Sequence, residues 1–279
     1  CPQPDNLFLC FSYSSWCPEV LIRTRYGFPV YVFGDDMSIG FPLIFCGIWE
    51  RHLTSLFHQK IKPGMVAVDI DANVGYFSAL FASKGADVHA FEPNSTMAQM
   101  IYKNIYINNI ISISYQKSVV NQCAVGASKG TAKMDFNPCV AGGASLRKSS
   151  FRESMYHELG QTKSVEIDII TLDEYSKVNN LQIVDIIKID VEGFEEEALK
   201  GAENLIRRSP DLMLCMEYTR GCYSSDFLPW LKQLFSKVYL PKFFGQQIDF
   251  EFLRKYQEHE TFQSEGYLDV VLIRGRRFA

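Results

Sequence analysis

The sequence predicts an α/β protein built on a mainly parallel sheet, and three observations predict it. Apolar β-rich runs alternate with helical patterns from about residue 65 onward. Three of those runs lead to carboxylates: Asp69 closing Met65-Val66-Ala67-Val68, Glu92 after Asp87-Val88-His89-Ala90-Phe91, and Asp190 after Ile186-Ile187-Lys188-Ile189. Between the first run and a helical pattern starting near Tyr76 lies a small-residue turn containing Ala72, Asn73 and Gly75. Strand, tight loop and helix form the unit that holds a nucleotide-like ligand at the C-terminal edge of a parallel sheet.

Composition bounds the classes available. The chain has 279 residues, enough for one well-cored α/β domain and a modest extension. Hydrophobic residues make up 47% and aromatics 14%, which argues for a globular fold over disorder. The net charge of -4 offers no general attraction to a phosphate backbone, so a nucleic-acid partner is not expected. The basic residues Arg147, Lys148 and Arg152 read as a solvated loop. Eight cysteines include no Cys-x-x-Cys pair, so no metal site is expected. Cys123 and Cys215 read as buried small hydrophobes, while the pairing of Cys1, Cys10 and Cys17 stays open.

The best apolar run, Ile39 to Trp49, is too short to span a bilayer and is broken by Gly40, Pro42 and Gly47. The chain begins at Cys1 without a methionine, which suggests that an upstream targeting or anchoring segment has been removed. Asn94-Ser95-Thr96 matches a glycosylation sequon directly after Glu92, where a glycan would obstruct the ligand edge; a cytoplasmic location is therefore expected.

In chain order, residues 1–18 read as irregular. Residues 19–46 alternate in a β manner around turns at Tyr26-Gly27 and Gly34-Asp35-Asp36. A helix follows from Gly47-Ile48-Trp49-Glu50 to about Gln59. These segments form an N-terminal extension, 1–60, and Pro63-Gly64 turns the chain into the main domain, 61–279. Strands are expected at about 65–70, 87–91, 117–124, 183–190 and 211–218, with helices at about 74–84, 95–109, 171–179, 194–207 and 226–236. The stretch 135–164 lacks clean periodicity and reads as a lid or binding loop. Tyr267 to Ile273 is expected to close the sheet as a hairpin with residues around 237–250.

The ligand class follows from charge. A dinucleotide site rests a pyrophosphate on glycines, whereas Asp71-x-Asn73-x-Gly75 sets an anion where the phosphates would press. S-adenosylmethionine has no phosphate and carries a sulfonium, so it tolerates these carboxylates. Glu92, about 20 positions beyond the first loop, is placed to grip ribose hydroxyls. Lys188 and Asp190 share one face of their strand and can neutralise each other.

With these residues in hand, an ordered set of motifs can be named. Gly47-Ile48-Trp49-Glu50, Lys62-Pro63-Gly64, Asp69-Ile70-Asp71-Ala72-Asn73-Val74-Gly75 and Phe91-Glu92-Pro93 are followed by Asn104, Asn108 and Ala124-Val125-Gly126. Gly142-Gly143-Ala144-Ser145-Leu146, Thr171-Leu172-Asp173, Lys188-Ile189-Asp190-Val191-Glu192-Gly193 and Glu217 complete it. Over about residues 20–275 the chain resembles FkbM-type S-adenosylmethionine-dependent methyltransferases, a branch of the class I superfamily.

The resemblance implies a class I, Rossmann-like sandwich and transfer of a methyl group to an acceptor hydroxyl on a sugar, polyketide or other small molecule. The cofactor residues implied are Glu50, Asp69, Asp71, Ala72, Asn73, Gly75, Tyr76, Phe77, Glu92, Pro93, Asn94, Ala124, Val125 and Asp190. Asp190 or Glu192 would serve as base with Lys188 orienting the carboxylate; Glu217 is a weaker candidate, and His157 in the expected lid is left aside. The family pattern has glycine where this chain has Asp71, so a cofactor-free scaffold remains a rival reading, as does a protein or RNA methyltransferase.

Overall fold

Extended apolar pairs open the ordered chain. In this computed structural model, which describes residues 19–112, 117–137, 140–145, 163–243, 245–258 and 266–278, β1 (Glu19–Arg23) and β2 (Pro29–Phe33) form an antiparallel ribbon. The expected β alternation stops there. Asp36 accepts the backbone N–H groups of Ser38, Ile39 and Gly40, and α1 (Gly40–Cys46) begins. After Gly47 in the left-handed region, α2 (Arg51–Lys60) follows.

The main sheet then builds up by alternation. β3 (Val66–Ile70), α3 (Tyr76–Ser83), β4 (Asp87–Phe91), α4 (Ser95–Ser112) and β5 (Val119–Asn121) form its first half. Residues Tyr76 to Ala82 are all buried, as a helix apolar all round must be. The chain then leaves the main sheet. β6 (Ala124–Val125), β7 (Gly130–Asn137), β8 (Val140–Ser145) and β9 (Lys163–Ile170) form a separate four-stranded sheet in the order β6-β9-β7-β8. The described parts of 135–164, residues 135–137, 140–145 and 163–164, are therefore strand where a lid or binding loop was expected. Among the described residues the covered apolar side chains of this small sheet are Ala124, Val125, Met134 and Ile167, too few to mark a period. Residues 146–162, including His157 and the basic loop, lie outside the described residues, as do Cys1, Cys10 and Cys17.

The second half comprises α5 (Leu172–Val178), β10 (Ile186–Ile189), α6 (Glu195–Lys200), α7 (Glu203–Arg208), β11 (Leu212–Thr219), α8 (Phe227–Leu234), β12 (Lys237–Leu240), β13 (Gln246–Ile248), α9 (Phe250–Glu258) and β14 (Tyr267–Arg274). The main sheet runs β13-β12-β14-β11-β10-β3-β4-β5, parallel from β11 to β5. β14 lies antiparallel between β11 and β12, and α9 intervenes before it, so β12 and β14 pair without being a tight hairpin. One apolar cluster covers the face carrying α2, α3 and α4, and another fills the face carrying α5 to α9. The architecture is the α/β class the sequence predicts.

Two glycines lock the small sheet to the large one. A Cβ on Gly201, between α6 and α7, would stand 2.0 Å from the Gly126 carbonyl oxygen just past β6. Gly201→Ala should therefore force these segments apart and lower stability by about 1–3 kcal/mol. Urea denaturation reads this out; an unchanged midpoint would mean that the junction yields without cost.

Candidate active site

Parallel register brings the acidic residues to one line. Ile70 pairs with Phe91 on one side and Ile189 on the other, and Ile189 pairs with Met216. The next residue in each strand is a carboxylate. Glu217, Asp190, Asp71 and Glu92 thus stand side by side at the C-terminal ends of β11, β10, β3 and β4. One pleat below, Lys188 lies directly opposite Asp69. Lys188 Nζ donates to Asp190 Oδ2 at 3.2 Å, lies 4.0 Å from Asp69 Oδ1, and sits 5.5 Å from the centre of the Phe77 ring. Burial works against its charge, yet Asp190, Asp69, Glu50 and Asp71 outweigh it and raise its pKa.

Asp69 is fully buried. Its Oδ2 accepts the Ser78 hydroxyl at 2.7 Å, while Oδ1 has no hydrogen-bond partner. Glu50, which precedes α2 with φ 38°, has a second such atom in Oε2. Desolvation, then Asp190, raises the Glu50 carboxyl to about 8. Desolvation, then Asp190 and Glu192, raises Glu217 to about 9 even though Thr219 donates to its Oε1 at 2.9 Å. Asp71 is pushed well up by desolvation and then by Glu92.

Glu92 is a clasp between two loops. Its Oε2 accepts the Asn73 N–H and its Oε1 the Asn94 N–H, each at 2.8 Å. Desolvation dominates these bonds and raises its pKa to about 7. Asn73 (φ 53°) and Asp71 (φ 61°) both take left-handed backbone. The Asp71 and Ala72 N–H groups donate to the Phe91 carbonyl, which bends the loop across β4. Gly75 (φ 80°) is required here, because a Cβ would meet Ile101 of α4 at 3.0 Å. Asn94 is itself buried, with Oδ1 accepting the Thr96 N–H at the start of α4.

Beside this line is a recess lined chiefly by Ile70, Phe91, Pro93, Ala124, Val125 and Phe194. Tyr76, by contrast, points back to Thr54 and is buried in the core. Two residues that matter here were not singled out from the sequence. Glu195 accepts the Gly193 N–H and the Tyr223 hydroxyl, and it fixes the turn after Asp190, in which Glu192 (φ 55°) and Gly193 (φ 92°) are left-handed. The signal was a run of three acids at a helix start, one residue after Gly193, which reads as a solvated face. Among the described residues, no group of three or more His, Cys, Asp or Glu side chains is arranged to hold a metal ion.

The model of the methyltransferase FkbM domain family matches residues 69–263. The chain belongs to that family. It is 28% identical over 168 residues to the 31-O-demethyl-FK506 methyltransferase FkbM of Streptomyces tacrolimicus, covering 52% of this chain and 62% of that one. It is 24% identical over 160 residues to the hexuronic acid methyltransferase AglP of Haloferax volcanii, covering 57% and 58%. The chain thus spans about six-tenths of the length of these relatives. A tRNA m1G37 methyltransferase structure from M. jannaschii overlays with a TM-score of 0.45 at 11% identity, covering 92% of this chain and 55% of that one.

The raised carboxyls set a pH dependence. A group whose folded pKa lies above its unfolded value contributes stability that is present at low pH and lost as pH rises through the folded value. For Glu50 and Glu217, with folded values of about 8 and about 9 against 4.5, the melting temperature of the ligand-free protein should fall between pH 7 and 9. Glu50→Gln with Glu217→Gln should flatten that slope. A melting temperature that is level or rises over this range would contradict the arrangement.

Proposed function

We propose that the chain transfers a methyl group from S-adenosylmethionine to a hydroxyl of a small-molecule or sugar acceptor. The observation that carries the reading is an acidic edge in which one ammonium, Lys188, 4.0 Å from Asp69 Oδ1, faces several carboxylates, and Asp69 Oδ1 accepts no hydrogen bond. Glu50 Oε2 is a second such atom. Buried acceptors of this kind are costly unless a donor or cation arrives, and the cofactor's ammonium and sulfonium are cations. The recess beside Phe91 offers mostly apolar walls to the cofactor's purine ring. Both Glu92 oxygens already accept an N–H, and each keeps a second lone pair for a ribose hydroxyl. The residues present therefore fit the cofactor.

Bound there, S-adenosylmethionine supplies a methyl group already activated on sulfur. The protein's part is to align the acceptor and take its proton. Asp190 is the base we favour. Its side chain is 31% exposed and is oriented by the Lys188 ammonium, so it faces both solvent and the buried site. Its carboxylate accepts the hydroxyl proton as the acceptor oxygen takes the methyl group. Glu192, in the same turn, is the alternative. The names of the two relatives support a hydroxylated small molecule or sugar as acceptor. Among the described residues no helix is long and apolar enough to cross a membrane. A buried Asn94 that caps α4 supports an unglycosylated, cytoplasmic protein.

Asp71 gives the first test. Its left-handed backbone favours glycine, and its carboxylate adds negative charge where backbone N–H groups would approach the ligand. Asp71→Gly should tighten S-adenosylmethionine binding, by about tenfold at most, and more at low salt than at high salt. Isothermal titration calorimetry measures this. Weaker binding would make Asp71 a cofactor ligand; no binding by either protein would favour a scaffold that retains the fold.

The second test separates chemistry from binding. Asp190→Asn or Glu192→Gln should lower methyl transfer to hydroxylated acceptors by about a hundredfold or more, with S-adenosylhomocysteine affinity changed much less. Near-normal turnover in both variants would place the base elsewhere.

A further inference from the structure

α1 carries an apolar stripe on its outer side. Phe41 and Phe45 of α1 are 46% and 70% exposed, with their rings tilted at 41° and centred 5.1 Å apart, and Met37 in the turn before the helix is 70% exposed. The inner side, with Ile39 and Leu43, is buried against the hairpin face. Among the described residues, packing accounts for one face of this helix and covers little of the other. Large side chains presented singly on a surface are ordinary; a contiguous aromatic stripe on one helix marks an interaction face.

Charge around the stripe selects the partner. Arg23 and Arg25 are exposed, and the Arg25 side chain lies against Gly47, which ends α1. The Arg25 N–H also donates to the Gly47 carbonyl at 2.8 Å, which fixes this strand end beside the helix. Asp36 is buried and its carboxylate is used on the amides that start the helix, so it does not oppose an anion. Asp35 is the exposed acid in the preceding turn, and the two arginines outnumber it. Three partly exposed side chains offer on the order of 300–400 Å², about half of the ~800 Å² per partner that a stable protein pair buries. A shallow apolar stripe with flanking arginines is instead the pattern of a helix that lies in a membrane interface.

We propose that α1 docks this chain on an anionic lipid bilayer and that the acceptor is presented at that surface. Only five residues lead from Phe45 to Glu50, so the end of the stripe and this site residue lie within at most about 17 Å of each other. The lipid contact itself stands on α1 and its arginines. The acceptor's location rests on the methyltransferase reading.

Co-sedimentation of the full chain with phosphatidylcholine vesicles, with and without phosphatidylserine, tests the docking without requiring methyl transfer. Binding should be stronger with phosphatidylserine and should weaken as salt is raised. Phe41→Ser with Phe45→Ser should reduce the bound fraction about tenfold or more, while far-UV circular dichroism and S-adenosylhomocysteine affinity match the parent. Arg23→Gln with Arg25→Gln should remove the preference for phosphatidylserine. If the parent fails to sediment with vesicles, or the double serine variant binds as well as the parent, the proposal is overturned. Sedimentation velocity adds a third outcome against it: a dimer that the double serine variant dissolves would make the stripe an interface between two copies.

Discussion

A single buried ammonium holds the acidic edge of this protein together. Desolvating Lys188 is costly, and it is tolerated because carboxylates stand beside it on its own strand, on the neighbouring strand and ahead of α2. The dependence is mutual. Asp69 and Glu50 are raised by burial, and the coulombic pull of Lys188 is what lowers them. Even so, the edge holds more acid than one cation can balance. The site is poised to gain from an incoming positive charge and would repel a pyrophosphate.

The second constraint is conformational. Glu50, Asp71, Asn73 and Glu192 all occupy left-handed backbone that glycine adopts more readily, and all four border the same edge. Such residues cost on the order of 1–3 kcal/mol each and persist only where neighbours hold them. The neighbours are identifiable: Glu92 takes the Asn73 amide, and Glu195 takes the Gly193 amide next to Glu192. The same side chains that give the site its charge also fix the shape of its loops. Acid titration here therefore acts on geometry as well as on electrostatics.

Much of this was legible in the chain because β3, β4, β10 and β11 are covered on both faces and read as continuous apolar runs. Where each run met a carboxylate, strand register alone was enough to align Asp71, Glu92, Asp190 and Glu217. The small sheet left no comparable trace. Its described buried residues, Ala124, Val125, Met134 and Ile167, are too few and too scattered to set a period. α1 was concealed for another reason. Apolar residues at Ile39, Phe41, Leu43 and Phe45 alternate like a strand, and the side-chain cap from Asp36 decides for a helix. Glu195 was hidden because a row of three acids at a helix start reads as a solvated face, whereas Glu195 and Glu196 are both buried.

Asn104 joins the N-terminal ribbon to the site. Its Oδ1 accepts the Tyr31 N–H at 2.6 Å, and its Nδ2 donates both to the Tyr31 carbonyl and to the carbonyl of Val74 in the Asp71–Gly75 loop. One amide in α4 thus completes the backbone pairing of β2 and anchors the loop that approaches the ligand. The ribbon is accordingly a structural member of the site, despite lying far from it in sequence. Insertions between Glu19 and Phe33 that shift the register of β2 would be transmitted through a fully buried side chain to Val74, so the shape of the Asp71–Gly75 loop is set in part from outside the main sheet.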